Sequence, residues 1–104
     1  MKRPTSIQIM GEWIKVRYLD EIPGDEYIHG DYNNDKNLIR IRIQDGPTMA
    51  KTLLHEICHC IFKKSGWSEE LGDRTEEALC QLLESVSLIY SLKQGKGNIR
   101  WRRD

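Results

Sequence analysis

Long hydrophobic runs are missing from this chain. No stretch approaches the roughly 20 apolar residues that a membrane-spanning helix needs. No apolar segment follows the charged start Met1-Lys2-Arg3-Pro4-Thr5. Neither a membrane span nor a secretory signal is therefore expected. An excess of charge of one sign is missing too, since 16 Lys plus Arg stand against 16 Asp plus Glu. A balanced chain builds little long-range potential, which argues against nucleic acid or an anionic membrane as the main partner. Cysteine is scarce: Cys58, Cys60 and Cys80 are odd in number and not spaced like a disulfide framework. Free thiols suit a reducing compartment, and a cytoplasmic location is expected. The 104 residues fit a single domain, 1–104. At this size only about two-thirds of the unfolded surface is buried, so a bound metal can add stability that a thin core lacks.

What is present divides into two halves. Residues from about 1 to 46 read as β. Ile7 and Ile9 alternate with polar neighbours, and Trp13 to Leu19 resumes the alternation with Ile14, Val16 and Tyr18 on one face. A hairpin near Met10-Gly11-Glu12 fits between them. Ile22-Pro23-Gly24-Asp25 is a turn, a short extended piece is expected around Tyr27 to Tyr32, and Asn33-Asn34-Asp35-Lys36-Asn37 is a polar turn tolerant of left-handed backbone. Leu38 to Gln44 alternates most cleanly, Ile39, Ile41 and Ile43 against Arg40, Arg42 and Gln44. Its charged face predicts an exposed or edge strand.

The second half reads as α, which makes the fold class α+β. A helix over 47–64 opens at Pro47 or Thr48 and ends at Gly66, with Lys63 and Lys64 suited to its C-terminal dipole. A second helix over about 73–93 follows. Asp73 and Glu76 resemble a capping box, and Leu79, Leu82, Leu83, Val86, Ile89 and Tyr90 form an apolar side. Residues 94–104 form a basic tail, expected to be loose.

The chemistry concentrates in His55-Glu56-Ile57-Cys58-His59. Histidines at i and i+4 on a helix share one face, one turn apart, where both reach a single ion. The intervening Glu56 does not bind the metal in this arrangement and acts as general base on a water that zinc makes acidic. Two histidines one turn apart can also be an ordinary helix surface, but two of the chain's three histidines fall in this motif. A third ligand is required, and Asp73, Glu76 and Glu77 are candidates. Glu76 shares a face with Leu79 and Leu83 and is preferred; Glu77 aligns with Cys80, Gln81 and Glu84 on a more polar face. Asp73 reads better as a cap. Cys58 and Cys60 read as core, while Cys80 is the thiol alternative. His29, Tyr32 and Tyr90 are weaker candidates for binding a developing oxyanion.

With Thr52-Leu53-Leu54-His55-Glu56-Ile57-Cys58-His59 in place, the chain resembles the small phage- and bacterially encoded zincin proteins related to the ImmA/IrrE metallopeptidases. Tyr27-Ile28-His29-Gly30, Ile39-Arg40-Ile41-Arg42-Ile43 and Glu76-Glu77-Ala78-Leu79 extend the likeness over about Trp13 to Tyr90. It implies a minimal zincin-like α+β domain, in which a small, mostly antiparallel N-terminal sheet precedes an active-site helix and a second long helix. It implies Zn2+ as cofactor, held by His55, His59 and Glu76, with Glu56 as catalytic base. The implied activity is hydrolysis of a peptide bond in a specific protein, the substrate pairing along strand 38–44. Rival readings are a non-catalytic protein-binding module on the same scaffold and a structural zinc domain with Cys80 as fourth ligand. DNA binding through Arg100, Trp101, Arg102 and Arg103 is the weakest.

Overall fold

A computed structural model of the chain describes residues 3–24, 27–85 and 100–102. It is an α+β arrangement, with strands β1 (Ser6–Ile9), β2 (Glu12–Leu19), β3 (Gly30–Asn33) and β4 (Leu38–Arg42), then helices α1 (Gly46–Ser65), α2 (Trp67–Leu71) and α3 (Asp73–Glu84), and last a strand β5 (Arg100–Arg102). The strands form one sheet in the order β3-β4-β2-β1-β5. The β2–β4 pairing is parallel and the other three are antiparallel.

The β1–β2 hairpin turns where expected. Met10 and Gly11 both take positive φ, 50° and 84°, the backbone that lets a two-residue loop follow the strand twist. Ile14 and Val16 point inward as the alternation predicts, with Ile7, Ile9, Ile39 and Ile41 beside them. Asn37, at φ 49°, closes the polar turn before β4. Met49, Leu53, Ile57 and Cys60 of α1 cover this sheet face and complete the core. Burying an Ile or Leu side chain is worth about 1.5–3 kcal/mol, so this two-layer contact is the main support of the domain.

Helix α1 starts one residue earlier than expected because Asp45 caps it, its carboxylate accepting from the Thr48 backbone N–H at 3.0 Å. Gly66 ends it in left-handed backbone and donates to the Lys63 carbonyl at 3.2 Å. Near this end the Lys64 ammonium reaches Glu12 at 2.8 Å and Asn37 at 2.7 Å, fixing the helix to the sheet.

Several sequence expectations need correction. Strand 38–44 is not an edge: β4 lies between β3 and β2, and β3 and β5 are the edge strands among the described residues. The charged face of β4 misled because Arg40 is spent on Asp31 across the ladder to β3, with Nε to Oδ1 at 2.9 Å. Residues 67–71 form the short helix α2, which the absence of any periodic pattern concealed. Asp73 does not cap α3, since Gly72 holds the N-cap position and no side chain bonds there. The basic tail is not all loose, because residues 100–102 pair with β1. Leu82, assigned to the apolar side, is 62% exposed. The expected continuation of the helix to 93, with Val86, Ile89 and Tyr90, lies outside the described residues.

Candidate metal centre

Helix α1 is apolar on the sheet side and carries His55, Glu56 and His59 toward a cleft of about 430 Å³, walled by Gly30–Tyr32 of β3 on one side and by Glu76 and Glu77 of α3 on the other. Gly30 permits this approach. A Cβ there would lie 2.6 Å from Thr52 Cγ2 and 2.8 Å from the Arg40 carbonyl oxygen, so only glycine lets β3 come this near to α1.

His55 and His59 face each other across one helical turn, their Nε2 atoms 3.2 Å apart. Glu77 spans the pair, Oε1 at 2.9 Å from His55 Nε2 and Oε2 at 2.9 Å from His59 Nε2. The opposite ring nitrogens are each held by a carboxylate. His55 Nδ1 meets Glu84 Oε2 at 3.0 Å, and His59 Nδ1 meets Glu76 Oε2. A ring that donates through Nδ1 keeps its lone pair on Nε2. With both rings neutral and donating through Nδ1, two lone pairs face the Glu77 carboxylate, an arrangement that a shared proton or metal cation would relieve. Two ligands at about 2.0–2.1 Å from one tetrahedral ion would stand roughly 3.3 Å apart, near the 3.2 Å between the two Nε2 atoms. Among the described residues, His55, His59 and Glu77 are the grouping whose ligand atoms lie close enough to hold one ion.

Glu76, preferred from helix phase, does point inward and is 3% exposed, but it lies behind His59 and not in front of it. Its other oxygen accepts from the Ser68 hydroxyl of α2. Burial works to raise the Glu76 pKa, yet the Ser68 hydroxyl and the His59 ring hold it below its ordinary value. For His59, burial works downward, and the Glu76, Glu56 and Glu77 carboxylates outweigh it and raise the value. Glu56 is 7% exposed, and burial pushes its carboxyl up to about 7, although His55 and His59 pull the other way. Asp73 lines the cleft without joining the grouping.

The thiols stand apart from the centre. Cys58, Cys60 and Cys80 are buried and free. Burial pushes Cys58 up to about 11, against a downward pull from Cys80, and burial also raises Cys80. Cys60 belongs to the sheet-facing core. The Tyr32 hydroxyl donates to Asn34 Oδ1 at 2.6 Å. His29 stands at the mouth of the cleft, its Nδ1 2.7 Å from the Gln44 amide. Tyr90 lies outside the described residues. Comparison with family models, curated proteins and solved structures finds no match to this chain.

Sequence reasoning missed the roles of Glu84 and Ser68. The alignment of Glu77, Cys80 and Glu84 was visible, but a polar stripe reads as solvated unless the facing helix is known to be polar as well. Nothing in the Trp67–Leu71 segment signals Ser68.

Proposed function

We propose that this chain is a zinc-dependent peptidase-like hydrolase of the zincin type, with His55, His59 and Glu77 as metal ligands and Glu56 as general base. The observation that carries this is the convergence of two Nε2 atoms and the Glu77 carboxylate on one point in an open cleft. Two imidazoles and one carboxylate are a donor set that suits zinc, and three protein ligands leave a position for the reactants. None of the thiols joins the grouping, which favours an open centre over a closed structural one. When bound, zinc supplies Lewis acidity, polarising a carbonyl and making water acidic near neutral pH.

The chain's own groups do the remaining work. Glu56 sits on α1 between the two histidines, with a carboxyl raised by burial to about 7. A cation nearby draws that value down, leaving a base able to take a proton from water and pass it to a leaving amine. Glu84 and Glu76 keep the rings oriented. The free edge of β3 offers main-chain partners to an extended peptide and lies against the cleft, so the peptide-pairing role expected of strand 38–44 passes to Gly30–Asn33. Three free thiols suit action in a reducing, cytoplasmic setting.

The test is elemental analysis of untagged protein beside His59→Ala, Glu77→Ala and Glu56→Gln, with each protein then incubated with a peptide library read by mass spectrometry. We expect about one zinc per chain in the native protein and in Glu56→Gln, and loss in the other two. Cleavage should occur with the native chain only. Cleavage by Glu56→Gln would reject the base, and a native chain that takes up no zinc after reconstitution would reject the centre.

A further inference from the structure

Helix α2 is five residues long and is bracketed by Gly66 and Gly72, both with positive φ. Its one buried residue is polar: Ser68, 8% exposed. The Ser68 hydroxyl donates to Glu76 Oε1, and Glu76 Oε2 accepts from His59 Nδ1. Glu76 is 3% exposed, so its charge is sustained by these two donors in place of water. A buried carboxylate that loses one of two donors is free to rotate, and that alters what it offers the ring behind it.

We propose that Ser68 is a positioning residue of the metal centre: by holding Glu76 it fixes His59 in the tautomer and orientation that aim Nε2 at the ion. This rests on the His55–His59–Glu77 reading of the centre. Ser68 touches neither ligand atoms nor substrate; it acts through Glu76. The relay gives a role to the short helix between two glycines of positive φ, since α2 brings a hydroxyl beneath a carboxylate that α3 alone would leave half satisfied. His55 needs no such helper, because Glu84, which holds it, is 30% exposed on its side chain and keeps water as a partner.

The experiment measures zinc affinity by chelator competition for the native chain, Ser68→Ala, Ser68→Thr and Glu76→Gln, with circular dichroism to check each fold. Histidine 15N NMR of the zinc-loaded native chain accompanies it. We expect Ser68→Ala to weaken zinc binding about 10–100-fold, the usual range for a partner that orients a ligand. Ser68→Thr, which retains the hydroxyl, should recover most of it. Glu76→Gln places an amide where Nδ1–H needs an acceptor and should weaken binding at least as much. The native spectrum should show His59 coordinated through Nε2 with its proton on Nδ1. Coordination through Nδ1 would overturn the proposal without recourse to any variant, as would native affinity in a folded Ser68→Ala. A native chain that binds no zinc would instead bring down the centre itself, and this proposal with it.

Discussion

Glu76 and Glu77 are neighbours in sequence and face different sides of the same imidazole because about 100° of helix rotation separates them. Hydrophobic phase correctly identified Glu76 as the more buried of the two, yet the inward position put it behind His59, where its charge is met by a hydroxyl and a ring. Burial marks the residue that needs partners; the half-exposed Glu77 borders the cleft. The same dependence on a partner governs Tyr18, whose hydroxyl donates to the Pro4 carbonyl at 2.8 Å. Burial pushes the Tyr18 phenol up to about 12, against a smaller downward pull from Arg3. Its folded value stands above the ordinary value of about 10. Its contribution is therefore present in full below that pH and is lost as pH rises through about 12, because the unfolded chain releases the proton first. Tyr18→Phe should cost about 0.5–1.5 kcal/mol at neutral pH through the lost hydrogen bond. Its stability should then decline less steeply under alkali than that of the native chain. Urea unfolding at stepped alkaline pH measures both slopes. The buried thiols and Tyr32 leave a residual decline in each, but identical slopes would show that Tyr18 is not the titrating group.

At the scale of elements, the legible parts of the fold were those with a repeating pattern. The β1–β2 hairpin, the inward faces of β2 and β4, and helix α1 with its histidines follow from periods of two and of 3.6 and from a glycine or aspartate at the right place. Helix α2 has no period to read, and the order of strands depends on pairings between segments far apart in sequence. That is why β4 was taken for the edge when β3, only four residues long, holds that place. The polar seam between α1 and α3 was half legible: His55 and His59 were visible, whereas Glu84 could be recognised only once the helices faced each other. The edge strand can be tested at Gly30, where an added methyl meets Thr52 Cγ2 and the Arg40 carbonyl oxygen at 2.6 and 2.8 Å. Gly30→Ala should destabilise the chain by about 1–3 kcal/mol, as overpacking does. Adding Thr52→Ala should restore only part of this, since the backbone carbonyl cannot move aside. Zinc affinity should change little, because the ligands sit on α1 and α3, so denaturation and chelator titrations should separate. A Gly30→Ala chain as stable as the native one would mean that β3 does not lie so close to α1.

For the molecule as a whole, the sheet and α1 share an apolar core, whereas among the described residues the seam between α1 and α3 carries most of the ion pairs. The buried residues of α3 are Glu76 and Cys80, and its carboxylates meet α1 at the two histidines. Without a cation, that seam sets three carboxylates against two rings. On the proposed reading zinc would join His55 and His59 of α1 to Glu77 of α3, so metal binding should act on how firmly α3 is docked more than on the sheet. A ligand at about 1,000 times its Kd stabilises the state that binds it by about 4 kcal/mol. In a domain near 100 residues this raises Tm on the order of 15 °C. Calorimetry with saturating zinc and with chelator should show a shift of that order in the native chain and none in Glu77→Ala. Hydrogen exchange should place the added protection in α3 and the histidine turns of α1, with β1 and β2 already protected in both states. A rise in Tm with protection spread evenly over the sheet would mean that α3 is held by something other than the metal. No rise at all, in a chain that elemental analysis finds loaded, would mean that the unfolded chain holds the ion as tightly as the folded one.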